Sequence, residues 1–209
     1  MQDVIIVGAG GFGREALWVI ESINRITPTW NVLGFIDDNL GALDGFALND
    51  RVLGTIKDWQ PSGDEQYVLA IAAPKVKEKL VPVLKARGAR FATVIDPTAT
   101  IRDRTVLGEG VIIFNDVVIS VDVTIGDFVF FNGHSAAGHD AVVGDYCTFG
   151  PRVSISGATK IGKCVNIGAS GSTYPGITVG DYATIGMNSA AIRRVKPNTT
   201  VMGVPATAL

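Results

Sequence analysis

The sequence predicts two units of different class, a small α/β unit over residues 1–95 and a parallel β-helix of hexapeptide repeats over residues 96–209. Three observations predict it. Strand and helix signals alternate through the first 95 residues, as in α/β proteins with a parallel sheet. Beyond Pro97 the chain divides into sixes without an insertion, and thirteen of the fifteen blocks between 99 and 188 carry an aliphatic residue or Phe at the third position. Glycine makes up 25 of the 209 residues beside 47% hydrophobic residues, a composition that suits many short strands joined by tight corners.

The first unit opens on "VIIV", residues 4–7, a buried strand. Gly8, Gly10 and Gly13 follow, spaced as G-x-G-x-x-G, and then a helix over 14–24 with Leu17 and Ile20, and Trp18 beside them, as its apolar positions. That spacing is the dinucleotide-binding fingerprint. "VLGFIDD" (32–38) reads as a second strand and "YVLAIAA" (67–73) as a third. "PKVKEKLVPVLKARG" (74–88) reads as a helix ending at Gly88, and "RFATVID" (90–96) closes the half. The unit is too short for two mononucleotide-binding halves, so the fingerprint does not by itself make a dehydrogenase.

A second period runs inside the sixes. Leu107-Gly108-Glu109, Ile125-Gly126-Asp127, Val143-Gly144-Asp145, Ile161-Gly162-Lys163 and Val179-Gly180-Asp181 recur every 18 residues. Three blocks therefore make one turn of triangular section, and residues 18 apart stack on neighbouring coils about 4.8 Å apart. Five turns between 99 and 188 predict a prism on the order of 24 Å tall. The recurring glycines are expected at corners where a bulky side chain or a restricted φ is unfavourable. Ala137 and Thr173 are the two exceptions at the third position.

Both histidines lie in "FNGHSAAGHDAVVGD". His139 is fifth in its block, which predicts a side chain pointing off a corner, and Asp140 follows it directly. Eighteen residues beyond His139 stands Gly157. An imidazole with a neighbouring carboxylate, beside an accessible N–H, suits acyl transfer, where the N–H polarises a thioester carbonyl. The alternative is an exposed surface His–Asp pair. His134 occupies a different corner, in register with Asp116 and Arg152, and reads as structural or as a minor wall of a site. A metal site from His134, His139 and Asp140 is the other arrangement these residues offer, but the register separates the two imidazoles and no further His or Cys-x-x-Cys cluster completes a shell, so no metal is expected. Cys147 and Cys164 stack with neither histidine, which leaves a thiolate nucleophile unsupported and indicates a reducing compartment.

A formal net charge of −2 without a basic stretch argues against a nucleic-acid partner. No run reaches the roughly 18 apolar residues of a membrane helix, and the amino terminus lacks a signal-peptide pattern. A cytoplasmic protein is expected.

"GAGGFGRE" joined to hexapeptide repeats that carry "GHDAVVGD" and close on "VMGVPAT" resembles the NeuD/PglD-type sugar acetyltransferases. The resemblance covers nearly the whole chain. It implies a Rossmann-like substrate domain, a left-handed β-helix, acetyl-CoA as co-substrate, and a homotrimer with sites between adjacent prisms. It implies His139 as the catalytic base with Asp140 as its acidic partner, and Gly157, in "ISG" (155–157), as the amide facing the thioester oxygen. The glycine loop matches at Gly8, Gly10, Gly11 and Gly13, and the paired acids at Asp37 and Asp38; in nucleotide-sugar members these receive phosphates and read the base. Two departures stand out. Thr148 replaces a second histidine found in many relatives, and "AIAAP" (70–74) replaces an "AIGN" near the sugar.

The leading reading is therefore an acetyl-CoA-dependent transfer to a sugar, foremost to the amino group of a nucleotide-linked amino sugar in bacterial surface glycan biosynthesis. His139 serves as general base in direct attack on the thioester. A sialic acid O-acetyltransferase is the alternative enzyme, and a non-catalytic nucleotide-binding trimeric scaffold the non-enzymatic one. Arg193, Arg194 and Lys196 gather where the rhythm stops at Pro197, a place for CoA phosphates or a solvated basic end.

Overall fold

The computed structural model describes residues 1–48 and 51–209. The chain forms two compact units, Met1–Val94 and Ile95–Leu209.

In the first unit β1 (Gln2–Val7) leads into α1 (Gly11–Ile26), followed by β2 (Trp30–Ile36), β3 (Val52–Gly54), β4 (Gln66–Leu69), α2 (Pro74–Ala86) and β5 (Arg90–Phe91). The sheet runs β3-β2-β1-β4-β5 with every pairing parallel. Strand order reverses between β1 and β4, so the crevice beyond the carboxyl end of β1 is the topological switch point of the sheet. The core is made where Val4–Val7 and Tyr67–Leu69 meet Ala16, Leu17, Val19 and Ile20 on one face of α1. Pro74 starts α2 at a position where a missing N–H costs nothing, and Gly88, at φ +96°, follows its end. The short β3 has no apolar alternation and was not legible in the sequence. "RFATVID" holds two short strands. Arg90–Phe91 pairs with β4, whereas β6 (Val94–Ile95) is the first strand of a prism face, and the Asp96 N–H donates to the Ile113 carbonyl at 2.8 Å.

The second unit is a three-faced prism of two-residue strands. Neighbours lie 18 residues apart, as in Val118↔Ala136, Thr124↔Val142 and Phe130↔Thr148. Third-position side chains fill the axis, among them Ile119, Ile125, Phe131, Val143, Phe149, Ile155 and Ile161, all buried. Each such aliphatic contributes roughly 1.5–3 kcal/mol by burial.

The stack is taller than five turns. Parallel strands continue through Ala190–Ala191 and Thr200–Gly203, and the rhythm does not stop at Pro197. It shifts earlier, because Val179 pairs with Val195 and Ile185 with Val201, 16 residues apart instead of 18. The corner Ile192-Arg193-Arg194 has lost two residues, and Val195 and Val201 still reach the core. An antiparallel return, Ala206–Ala208 on Thr200–Gly203, ends that face.

Corner conformation divides between two positions. The sixth residue of a block is left-handed whatever its side chain, at Asp116, Phe128, His134, Asp140, Tyr146 and Arg152 alike (φ between +55° and +61°). The recurring fourth-position glycines have ordinary φ, and close approach is what requires them. A Cβ on Gly126 would stand 2.3 Å from Asp145 Oδ1 and 3.0 Å from the Gly144 carbonyl carbon.

Candidate active site

His139 and Asp140 occupy the corner after strand Ala136–Ala137, with Gly157 in register one coil further on. The corner geometry aims His139 outward, and both its side chain and that of Asp140 are about two-thirds exposed. Its ring lies across Gly157. A Cβ there would stand 2.6 Å from His139 Nε2, 2.9 Å from Cε1 and 3.0 Å from Cδ2. Gly138 permits the same approach from the other side, since its Cβ would meet the Gly157 nitrogen at 2.5 Å.

Nδ1 of His139 lies 2.7 Å from Asp140 Oδ2. A carboxylate only accepts, so Nδ1 carries a proton, and in the neutral ring the lone pair is on Nε2. One coil earlier in the column of Asp140, Asp122 is paired with Arg104 at 2.5 and 2.7 Å, and that guanidinium holds its carboxyl below the usual range. Asp140 is thus flanked by a neutralised carboxylate.

The backbone around Gly157 is tied on three sides. Ala158 N–H donates to the His139 carbonyl at 2.7 Å, and the Gly157 carbonyl accepts from Gly176 N–H at 2.9 Å. Ser156 N–H donates to Thr173 Oγ1 at 3.0 Å. The Gly157 N–H has no hydrogen-bond partner among the described residues.

The other sequence-predicted residues fall elsewhere. His134, with Nδ1 3.7 Å from Asp116 Oδ2, stands at another corner, over the column that holds Asp116 and Arg152. Thr148 is buried on the face opposite the His139 corner, in the strand Thr148–Phe149 between Phe130 and Asn166. Cys147 and Cys164 are buried, and Cys147 Sγ donates to the Gly162 carbonyl at 3.0 Å. Among the described residues no three His, Cys, Asp or Glu side chains are grouped to hold a metal.

In the first unit the four loop glycines split into two kinds. Gly8 has φ +99°, and a Cβ on Gly13 would stand 2.0 Å from the Gly8 carbonyl oxygen, so these two shape the turn and pack α1 against β1. Gly10 faces open space at the amino end of α1, and Gly11 has only the Arg14 guanidinium near it, 3.9 Å from where a Cβ would stand. Asp37 accepts the Ala9 N–H at 2.7 Å through Oδ2 and the Asn39 N–H at 2.8 Å through Oδ1. It clasps the glycine loop, a part the sequence reading missed. Asp38 is exposed and accepts from Lys57 N–H at 3.0 Å. Both acids line a cavity of about 440 Å³ with apolar walls from Ile56, Ile71 and Val83 and with Lys79 at its side.

Arg193, Arg194 and Lys196 are exposed around the shortened corner and line a cleft of about 520 Å³ together with Val195, Val201 and Ala206.

Residues 3–84 match the family model described as PglD N-terminal domain. Over 178 residues the chain is 31% identical to a GDP-perosamine N-acetyltransferase of Escherichia coli O157:H7, covering 82% of this chain and 78% of that protein. The chain belongs to the PglD/NeuD-type sugar acetyltransferase family.

Solved structures agree at the level of fold. WeeI from Acinetobacter baumannii AYE superposes with a TM-score of 0.88 at 29% identity, covering 100% of both chains. PerB from Caulobacter crescentus, in complex with CoA and GDP-perosamine, gives 0.88 at 22% identity over 100% of this chain and 98% of its own. The prism of this PglD/NeuD-type chain is accordingly a left-handed β-helix, a hand that the spacing of sixes does not set. Among the described residues no helix is long and apolar enough to cross a membrane.

Proposed function

We propose that this PglD/NeuD-type enzyme transfers an acetyl group from acetyl-CoA to the amino group of a nucleotide-linked amino sugar. The observation that carries the reading is the His139–Gly157 pair, a base with its Nε2 lone pair available, lying against a backbone N–H that has no described partner. His139 Nε2 accepts the proton of the acceptor amine as its nitrogen attacks the thioester carbon. The Gly157 N–H donates to the carbonyl oxygen as negative charge develops there. The carbon–sulfur bond then breaks, the acetyl group stays on nitrogen, and the departing thiolate takes the proton back from the His139 imidazolium, which restores the base. Asp140 holds the neutral ring in the productive tautomer and stabilises the imidazolium that forms.

The glycine loop and the Asp37–Asp38 cavity would hold the nucleotide end. Gly10 and Gly11 leave the amino end of α1 open to a phosphate, and the apolar walls suit the face of a base. The cleft at Arg193, Arg194 and Lys196 fits CoA phosphates by charge. Exposed Val106, Val118 and Val142 on the prism faces favour a homotrimer, and the protein would act in the cytoplasm.

Mass spectrometry of products from acetyl-CoA with GDP-, UDP- and dTDP-linked amino sugars tests the reading. A 42 Da increase, about the mass of one acetyl group replacing a proton, is expected on one nucleotide amino sugar. Acetylation of free or activated sialic acid alone would replace the reading with O-acetylation, and no product from any acceptor would leave a binding scaffold.

A further inference from the structure

The coil that carries Gly157 departs from the pattern of its neighbours. In the fourteen other blocks between 99 and 188, the fourth residue donates its N–H to the carbonyl of the third residue one coil on, as Gly138 does to Ile155 at 2.7 Å and Tyr174 to Ala191 at 2.8 Å. At Ser156 this bond is missing. The Ser156 N–H donates instead to the side-chain Oγ1 of Thr173 at 3.0 Å, and the Thr173 carbonyl accepts the Ser156 hydroxyl at 2.5 Å. The strand pairing is shorter to match. It joins Ser154 to Ser172 and stops, where neighbouring strands on that face pair two residues.

Thr173 is one of the two breaks in the apolar third-position pattern, and it is buried at 5% exposure. A buried hydroxyl is costly unless bonded, and this one is fully used. It accepts from Ser156 N–H and lies 3.3 Å from Thr159 Oγ1, which donates to the Tyr174 carbonyl at 3.4 Å. Read in one direction, each hydroxyl of the chain accepts once and donates once.

We propose that Thr173 is a positioning residue for the acetyl-transfer step, setting the placement of the Gly157 N–H through Ser156. This rests on the reading of Gly157 as the amide that meets the thioester oxygen. Ser156 is the last backbone tether before that amide. An aliphatic residue at 173 would let the regular ladder bond close and would carry Gly157 with it. Misplacement on the scale of 1 Å at a reacting centre costs up to about 10²-fold in rate.

Three variants of the full-length protein test this, with steady-state kinetics for both substrates, melting temperature and a crystal structure of Thr173→Val. Thr173→Val is expected to lower kcat by about 10-fold to 10²-fold with both KM values and the melting temperature unchanged. The Ser156 N–H should then meet the carbonyl of residue 173. Thr173→Ser, which keeps the hydroxyl, should restore kcat to near wild type. Ser156→Ala frees the Thr173 carbonyl at a half-exposed corner that tolerates the change, and should lower kcat in the same sense even if Thr173→Val folds poorly. Wild-type kcat in both Thr173→Val and Ser156→Ala, while His139→Ala is inactive, would overturn the positioning role and leave the acetyltransfer reading standing. Full activity in His139→Ala would overturn that reading and this inference with it.

Discussion

The imidazole of His139 and the Cα of Gly157 stand so close, one coil apart, that a single added methyl would lie 2.6 Å from Nε2. Glycine at 157 therefore answers to the ring rather than to backbone torsion, since no left-handed φ is found there. The same relationship places a base beside an N–H donor on a scaffold held by hydrogen bonds between coils on either side.

Gly157→Ala should accordingly displace the imidazole and leave the coil intact. Loss of the ring's placement and of clear access to the N–H is expected to lower kcat by about 10²-fold or more. The melting temperature and the affinity for CoA, measured by calorimetry, should stay near wild type. Retention of wild-type kcat would mean that the ring need not lie where the structure has it.

Asp37 and Asp38 should separate into two roles. Asp37 holds the Ala9 and Asn39 amides, and hydrogen bonds to a charged group contribute about 1.5–3 kcal/mol, so Asp37→Ala should lower stability as well as raise KM for the nucleotide sugar. Asp38→Ala should raise that KM alone. Neither should change KM for acetyl-CoA. Equal effects on both substrates would remove the acids from the nucleotide end.

Glu65 provides a test by pH. Burial raises its pKa, but hydrogen bonds from Ser62, Tyr67 and the backbone outweigh that and hold it down at about 2. Because the folded value is depressed from an ordinary 4.5, its contribution to stability is present above pH 4.5 and is lost as pH falls toward 2. Thermal melts followed by the fluorescence of Trp59, whose Nε1 donates to Tyr67 OH at 2.9 Å, should show a steeper acid decline in wild type than in Glu65→Gln. Parallel declines would show that Glu65 is not the group responsible.

Much of this architecture could be read from the chain because its period is rigid. An 18-residue repeat turns sequence distance into spatial contact, so His139 and Gly157 could be paired by arithmetic alone. Where that rule is broken, sequence reading failed. The two residues lost at Ile192–Arg194 looked like an end at Pro197, although Val195 and Val201 carry the core on. The left-handed sixth position was hidden because residues as unlike as Phe128, Asp140 and Arg152 share it. Asp37's clasp on Ala9 spans 28 residues with no periodic relation, and only the folded α/β unit brings the two together. Thr173 was visible as an irregularity, but its hydrogen bonds were not.

The most direct measurement is kcat for His139→Ala with acetyl-CoA and the nucleotide amino sugar identified by the product screen. A positioned general base contributes about 10²–10⁴ in rate, so kcat should fall by that factor with both KM values and the melting temperature nearly unchanged. The exposed ring supports no part of the apolar core, and Asp140→Asn, which leaves the base in place, should cost less. A His139→Ala enzyme turning over at close to the wild-type rate would contradict the account and move its catalytic group elsewhere.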